Sequence, residues 1–231
     1  RPWRLLLLLL ALVAGLISGF RGFVVGGGMT VAVLFCLEGL HRTRYLAVLL
    51  MVALLGGTLV LPYANKLPLG VQRTLSFLPG NFDYMAQESA RSSNEWRLQM
   101  WKQVLPDVPD HLLKGHGWGI DARQLDLSLS MADAGNAYAT VIMVGDYHNG
   151  PFSVLFPFGI YGVVAFVWFL VAGLRLLHRN WKYGSPALRS VNAFLLAAFI
   201  TRVISFFVIF GALSSDMAFF TGLLGLGVAL N

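Results

Sequence analysis

One histidine stands where the sequence predicts the start of an apolar helix. His148 is followed by Asn149, Gly150 and Pro151, an order in which Asn149 can cap the helix and Pro151 can open its first turn. The N-terminus of a helix attracts phosphate and favours a neutral imidazole, which can accept a proton. A single interfacial histidine is otherwise a passive contact to lipid headgroups, so the catalytic interpretation depends on its context.

Two arginines lie at or within apolar runs. Arg21 follows residues 18–20 at the break between two such runs, and Arg202 lies inside a later one. If these runs cross a membrane, charged residues there usually mark a pathway or a site, which favours function for Arg21 over snorkelling toward headgroups. Arg202 either pairs with Asp216 or lines a substrate path, and the sequence leaves both open.

The other histidines, the cysteine and the serines form no recognisable metal, disulfide or hydrolase motif. His111 and His116 are five residues apart, a spacing that matches no zinc motif, and the single Cys36 excludes an internal disulfide. No Gly-x-Ser-x-Gly elbow occurs, so a serine hydrolase is not supported. We therefore expect no metal and no cofactor.

The composition indicates an integral membrane protein. Of 231 residues, 57% are hydrophobic and 12% are charged, and the mean hydropathy is +0.68. Soluble proteins carry about 25% charged residues and could not bury so much apolar surface. The net charge of +6 is spread between short loops and leaves no basic face for nucleic acid.

Six apolar runs approach the length needed to cross a bilayer core of about 30 Å. They are residues 2–18, 22–40, 45–61, 151–174, 190–210 and 217–230. The last is expected to be truncated, since the chain starts without Met and stops after an apolar run, as a piece of a longer protein would. Basic residues cluster in the connections on one side, which the positive-inside rule makes cytoplasmic.

The expected fold class is therefore an all-α integral membrane protein with about six transmembrane helices. Its predicted domains are 1–61 with three helices, 62–150 as a long, partly helical periplasmic loop, and 151–231 with three helices. Loops as long as 62–150 are usually functional.

Within the long loop, Ser92 and Glu95 have the spacing of a capping box, which predicts that a helix starts there and ends near Leu105. Arg97 and Trp101 would share one face of that helix with Val104 and Leu105, and this face would dock on the membrane surface. The glycines of residues 115–119 predict a tight turn further along.

Four features, taken in order, resemble the bacterial O-antigen ligase and O-antigen polymerase superfamily, the membrane glycosyltransferases that use polyprenyl-pyrophosphate-linked glycans. They are Ser18-Gly19-Phe20-Arg21-Gly22, Arg97-x-x-x-Trp101, Gly115-x-Gly117-Trp118-Gly119, and His148-Asn149. The resemblance covers nearly the whole chain and corresponds to the C-terminal half of that family. Each motif alone is weak, whereas their order and membrane placement together are specific.

The resemblance implies that Arg21 and Arg97 bind the donor's pyrophosphate and that His148 is the catalytic base on the acceptor hydroxyl. Guanidinium groups bind phosphate bidentately and stay charged, so two arginines could replace a divalent metal. The carboxylate that orients the histidine would be Asp146 or Asp121. The candidate accessory residues are Asn149, Asp146 and Arg202.

The implied function is metal-independent transfer of a glycan from a polyprenyl-pyrophosphate carrier to a hydroxyl of lipid A core, a growing glycan or a protein. Donor, acceptor and membrane lipids would be its partners, and nucleic acid would not. The resemblance also implies a multi-pass protein of the bacterial inner membrane with a periplasmic active site. A transporter or flippase of a polyprenyl-linked or anionic substrate is the alternative, and a scaffold without chemistry is a third.

Overall fold

The computed structural model describes residues 2–17, 21–118, 126, 130, 138, 141–142 and 144–231. Within these ranges no strand occurs, so the expected all-α fold class is confirmed. The helices with described bounds are α1 (Pro2–Ile17), α2 (Arg21–Leu37), α3 (Arg44–Val60), α4 (Leu69–Leu75), α5 (Tyr84–Val104), α6 (Val108–His111), α7 (Gly150–Tyr183), α8 (Arg189–Ile204) and α9 (Leu213–Leu230). The chain divides into two compact units, Arg1–Glu95 and Trp96–Asn231, and the boundary lies within α5.

Four helical stretches of the described chain are long and apolar enough to cross a membrane, which agrees with a multi-pass protein. They are Arg44–Lys66, Gly150–Tyr183, Pro186–Ile209 and Leu213–Leu230. Six full spans are not found in these ranges, because α1 and α2 have only 16 and 17 residues. The run that begins at α2 stops at Leu37, since Gly39 has a left-handed φ of 70° that is typical of helix ends.

α7 and α9 extend beyond their predicted bounds. α7 continues to Tyr183, well past Leu174, because neither glycine nor proline interrupts the chain between Leu174 and Gly184. α9 begins at Leu213, before the predicted Met217. The apolar run alone could not show this earlier start.

In the unit Arg1–Glu95, a buried glutamine fixes the start of α5. The side-chain amide of Gln72 donates to the carbonyls of Asn65 and Leu67 at 3.2 and 2.8 Å, and its oxygen accepts from the N–H of Asp83 at 2.7 Å. Asp83 Oδ1 in turn accepts from the N–H of Met85 at 2.8 Å, as a helix cap does. These bonds hold the first turn of α5.

The predicted capping box is wrong, since Ser92 lies inside α5 rather than at its start. Glu95 forms an exposed ion pair with Arg91, one turn earlier, at 2.7 Å. The predicted end of the helix is confirmed, because α5 ends at Val104 and Pro106 follows.

In the unit Trp96–Asn231, four phenylalanines form a buried centre between α7, α8, α9 and the turn after α8. They are Phe166, Phe199, Phe206 and Phe220, and their ring centroids lie 5.0 to 6.0 Å apart. Such separations are typical of favourable aromatic pairs. This centre fixes the positions of the three membrane helices relative to one another.

α7 is interrupted at Pro157–Gly159, where Gly159 has a φ of 64° and a ψ of −165°. The break leaves the carbonyls of Phe156 and Pro157 available to another part of the chain. They accept hydrogen bonds from the N–H groups of His116 and Gly117 at 2.8 and 3.0 Å. Backbone groups inside a membrane protein need such partners, and here the segment 112–117 supplies them.

A third bond joins the same elements, since the N–H of Ile160 donates to the carbonyl of Leu112 at 2.8 Å. The approach is so close that a Cβ on Gly115 would lie 2.1 Å from the carbonyl carbon of Pro157. Gly115 therefore permits backbone contact with α7, whereas Gly117 supplies a left-handed φ of 92°. Gly119, the last glycine of that turn, lies outside the described residues.

Gly159→Ala should lower the free energy of unfolding by about 1–3 kcal/mol. Alanine would have to adopt a φ of 64°, and its Cβ would lie 2.3 Å from the carbonyl oxygen of Leu113. Thermal unfolding in detergent measures the effect. Gly222→Ala in α9 is the matched control, because a Cβ there meets nothing within 4 Å. Equal stabilities of the two variants would contradict the prediction.

Candidate active site

The start of α7 is built as the sequence predicts. Asn149 has an extended φ of −146°, its side chain accepts from the N–H of Phe152 at 3.1 Å, and Pro151 lies in the first turn. Gly150 is required by packing, because a Cβ there would lie 2.2 Å from the carbonyl oxygen of Phe206. His148 therefore directly precedes a capped helix N-terminus.

The backbone of His148 is held in an uncommon conformation. Its φ is 45°, the one positive φ of a non-glycine residue in the described chain. Such conformations cost on the order of 1–3 kcal/mol and persist only when their neighbours are firmly anchored. Asn149 provides the anchor on one side, and Tyr147 provides it on the other.

Tyr147 is 2% exposed, and its ring stacks on Phe156 with centroids 4.8 Å apart. The indole Nε1 of Trp101 donates to the carbonyl oxygen of Tyr147 at 2.7 Å. Burial, together with the negative charge of Asp107, raises the pKa of the Tyr147 hydroxyl to about 12. Tyr147 is thus a packing residue that stays neutral at physiological pH, and it is not an alternative base.

The imidazole of His148 lies between polar and aromatic neighbours. Its centroid is 5.7 Å from the Trp96 ring, at an interplanar angle of 61°, and 6.5 Å from the Phe210 ring, at 82°. Its Nδ1 lies 3.4 Å from Asp146 Oδ1. One third of the histidine side chain is exposed.

The position of Asp146 suits a residue that orients the imidazole. Asp146 Oδ1 is shielded from solvent and accepts no hydrogen bond from the described residues. A carboxylate beside Nδ1 favours the tautomer that carries its proton there, which leaves Nε2 free to accept one. The separation of 3.4 Å is long for a hydrogen bond, so the two groups are neighbours that a small movement could bring into hydrogen-bond contact.

Arg97 reaches the same place from α5. Its guanidinium carbon lies 4.9 Å from the centroid of the Phe210 ring, the ring that also contacts His148. Trp96, its neighbour in α5, contacts His148 directly. We call the five residues Trp96, Arg97, Asp146, His148 and Phe210 the His148 cluster.

The apolar face of α5 packs against protein. Trp101 binds the Tyr147 carbonyl, and Val104 is buried in one hydrophobic cluster with Tyr147 and Phe156. Leu105 was expected on this face, but it is 58% exposed. The start of α7 and the residue before His148 cover this face at Trp101 and Val104, whereas its docking on the membrane surface stays a prediction.

Arg202 forms an ion pair with Asp216, one of the two alternatives that the sequence leaves open. Asp216 is buried, and its Oδ2 accepts from the N–H of Ala212 at 2.8 Å, at the start of α9. The guanidinium carbon of Arg202 also lies 4.3 Å from the ring centroid of Phe219. Arg202 is thus an interhelical contact between α8 and α9.

Arg21 opens α2 in the unit Arg1–Glu95, and its side chain lies outside the described part of the chain. Asp121, the other candidate for orienting the histidine, also lies outside the described residues. Of the remaining predicted residues, the structure brings Arg97, Asp146 and His148 together, with Asn149 as the cap.

Sequence reasoning missed Trp96 and Phe210. Trp96 could have been found from its position beside Arg97, since a bulky aromatic next to a proposed phosphate ligand is well placed to form a wall of the site. Phe210 had no local signal, because its place depends on how the chain turns between α8 and α9.

An apolar groove of about 520 Å³ lies beside α7 and the start of α9. Most of its lining residues lie along one side of α7, and Trp118 lines it from the loop that precedes α7. Its lining includes Trp118, Phe158, Phe166, Phe169, Leu213 and Met217, together with Val154 in the first turns of α7. We call it the α7–α9 groove, and it contains no charged side chain among its lining residues.

Comparison with known proteins identifies a family model, described as O-antigen ligase, that matches residues 6–167. The matched region contains Arg21, Arg97 and His148, whereas Arg202 and Phe210 lie beyond it. No curated protein and no solved structure matches the chain.

Asn149→Ala should lower the free energy of unfolding by about 1 kcal/mol, because the N–H of Phe152 loses its acceptor. Asn149→Asp should keep most of the stability, since aspartate caps helices equally well. Thermal unfolding in detergent distinguishes the two variants. A loss as large in Asn149→Asp as in Asn149→Ala would show that the cap does not stabilise this helix start.

Proposed function

The chain belongs to the O-antigen ligase family, and from this premise we propose that it transfers a glycan from a polyprenyl-pyrophosphate carrier to a hydroxyl acceptor. The observation that supports this best is the His148 cluster. It combines a partly exposed imidazole, a carboxylate 3.4 Å from its Nδ1 and an arginine on the ring that the imidazole contacts.

In this proposal Arg97 and Arg21 bind the pyrophosphate of the donor. The guanidinium group offers a planar pair of N–H donors that matches phosphate oxygens, and it stays charged at any physiological pH. The negative charge on the leaving pyrophosphate grows as the glycosidic C–O bond breaks, so fixed cations stabilise the transition state more than the ground state.

His148 acts as the general base on the acceptor. Its Nε2 takes the proton from the acceptor hydroxyl while the hydroxyl oxygen forms the new bond to the anomeric carbon of the sugar. The old C–O bond breaks with its electron pair remaining on the pyrophosphate, and the proton stays on the imidazole until solvent removes it. Asp146 stabilises the imidazolium that forms.

The α7–α9 groove is an argument that the donor carries a lipid chain. Its lining is apolar, and one of its residues, Val154, lies six positions after His148 in the chain. A polyprenyl chain in the groove would remain in contact with the hydrocarbon of the membrane. The charged end of such a donor would then lie toward the start of α7, where the His148 cluster is found.

We further propose that the reaction takes place at the periplasmic face of a bacterial inner membrane and requires no divalent metal. Basic residues cluster in the short connections on the other side of the predicted topology. Arginine supplies the positive charge that many phosphate-transferring enzymes obtain from a metal ion.

The deciding experiment is transfer in vitro with the full-length purified protein. It combines a polyprenyl-pyrophosphate glycan donor with lipid A core, free glycan or peptide as the acceptor, with and without EDTA. We expect a product with at least one of these acceptors and the same rate in EDTA. A single addition indicates a ligase, and a ladder of products indicates a polymerase. Absence of transfer with every acceptor would refute the proposed function.

Arg97→Ala should reduce both donor binding and transfer, because it removes the cation of the His148 cluster. Arg91→Ala is the matched control on the same helix, since Arg91 is exposed and forms an ion pair with Glu95 of that helix. It should remain close to the wild type in both measurements. The opposite ranking of the two variants would show that Arg97 is not the pyrophosphate ligand.

His148→Ala should fold and bind the donor, but its transfer rate should fall by at least about 100-fold, the lower end of what a general base contributes. The control is His178→Ala, which removes a histidine near the other end of α7. Rate and donor binding are measured separately for each variant. Loss of donor binding with unchanged turnover at saturation would make His148 a phosphate ligand instead of the base.

A further inference from the structure

Phe210 contacts both the arginine and the histidine of the His148 cluster. Its ring lies 4.9 Å from the guanidinium carbon of Arg97 and 6.5 Å from the imidazole centroid of His148. The planes of the two rings are nearly perpendicular, at an interplanar angle of 82°. Phe210 lies beyond the region matched by the family model, which ends at residue 167.

The backbone places Phe210 at the end of a distorted turn. After α8 the chain forms a π-helical turn over Ser205–Ile209, and Phe210 then becomes extended, with φ −171° and ψ 137°. The N–H of Phe210 donates to the carbonyl of Ser205 at 3.1 Å. π-Helical turns are rare and often occur at functional sites, and this one ends at the ring shared by Arg97 and His148.

The residues that follow Phe210 are anchored on both neighbouring helices. The N–H of Ala212 donates to Asp216 Oδ2 at 2.8 Å, and the N–H of Leu213 donates to Ser153 Oγ at 3.0 Å. Ser153 is buried and donates in turn to the carbonyl of Gly150 at 2.7 Å. The backbone just after Phe210 is therefore hydrogen-bonded to the first turn of α7, which directly follows His148.

Packing also restricts this segment. A Cβ on Gly211 would lie 2.6 to 2.9 Å from three atoms of Phe206, so the backbone after Phe210 lies directly against the buried phenylalanine centre. Phe206 itself is almost fully buried. The ring of Phe210 is thus attached to a backbone that has little freedom to shift.

We propose that Phe210 is a positioning residue that sets the spacing between Arg97 and His148. This inference rests on the proposed function, in which Arg97 binds the leaving pyrophosphate and His148 activates the acceptor. The sugar must fit between these two groups, so their separation has to be fixed before the acceptor attacks. An aromatic ring suits the task because its face attracts the guanidinium, and the same ring can pack against the imidazole with the two ring planes nearly perpendicular.

The test compares Phe210→Leu, which removes the ring, with Phe210→Tyr, which keeps it. Phe210→Leu should lower kcat about 10- to 100-fold, the effect of a small misplacement of reacting groups, whereas the donor KM should change much less because both charges remain. Phe210→Tyr should recover most of the lost kcat. Phe210→Met is the second variant without a ring, in case Phe210→Leu does not fold.

The matched control is Phe207→Leu. Phe207 lies on the same π-helical turn and contacts Phe206, so its loss reports general damage to this turn. It should retain kcat. An equal fall in kcat for Phe207→Leu, an equal fall for Phe210→Tyr, or a raised donor KM with unchanged kcat for Phe210→Leu would each overturn the positioning role.

A second readout requires no transfer activity. The rate at which diethyl pyrocarbonate modifies His148, followed by peptide mass spectrometry, should rise severalfold in Phe210→Leu and stay unchanged in Phe210→Tyr and Phe207→Leu. If the wild type transferred no glycan, the proposed function would fail, but this comparison would still decide whether Phe210 holds the imidazole. An unchanged rate in Phe210→Leu would overturn the inference by itself.

Discussion

The need to satisfy every backbone polar group within a membrane protein shapes this structure most strongly. α7 is broken at Pro157–Gly159, and the segment 112–117 donates to the carbonyls that the break leaves without partners. The chain between α8 and α9 also departs from regular helix, and there Ser153 and Asp216 accept the N–H groups of residues 213 and 212. Irregular backbone is thus found where other parts of the chain can bind it.

The same constraint explains where the candidate site lies. Regular helices use their own backbone groups internally, so polar contacts with other elements concentrate at helix starts and breaks. His148 stands just before the cap of α7, and Phe210 follows the π-helical turn after α8. The midsection of α5 contributes side chains only, Trp96 and Arg97. The cluster therefore combines two irregular backbone segments with one regular helix.

Features that depend on adjacent residues could be predicted from the sequence, as the cap at Asn149 and the end of α5 before Pro106 show. The helix start predicted at Ser92 was wrong, because hydrogen bonds between Gln72 and Asp83 and between Asp83 and Met85 start α5 eight residues earlier. Gln72 is too far away in the chain to be part of a local capping signal. The exposure of Leu105 could not be read from spacing, since tertiary packing decides which side of α5 is covered. The place of Phe210 depends on how three helices pack together and on a π-helical turn, and neither can be read from adjacent residues.

The backbone bonds between residues 112–117 and the break in α7 also bear on how the protein is made. The donating segment leaves the ribosome before α7 does, and the break obtains its partners only when the two meet. We therefore expect membrane insertion of α7 and the docking of residues 112–117 to be coupled steps of biogenesis. A loop taken from a related protein could replace this one only if it presented the same two N–H groups at the same depth.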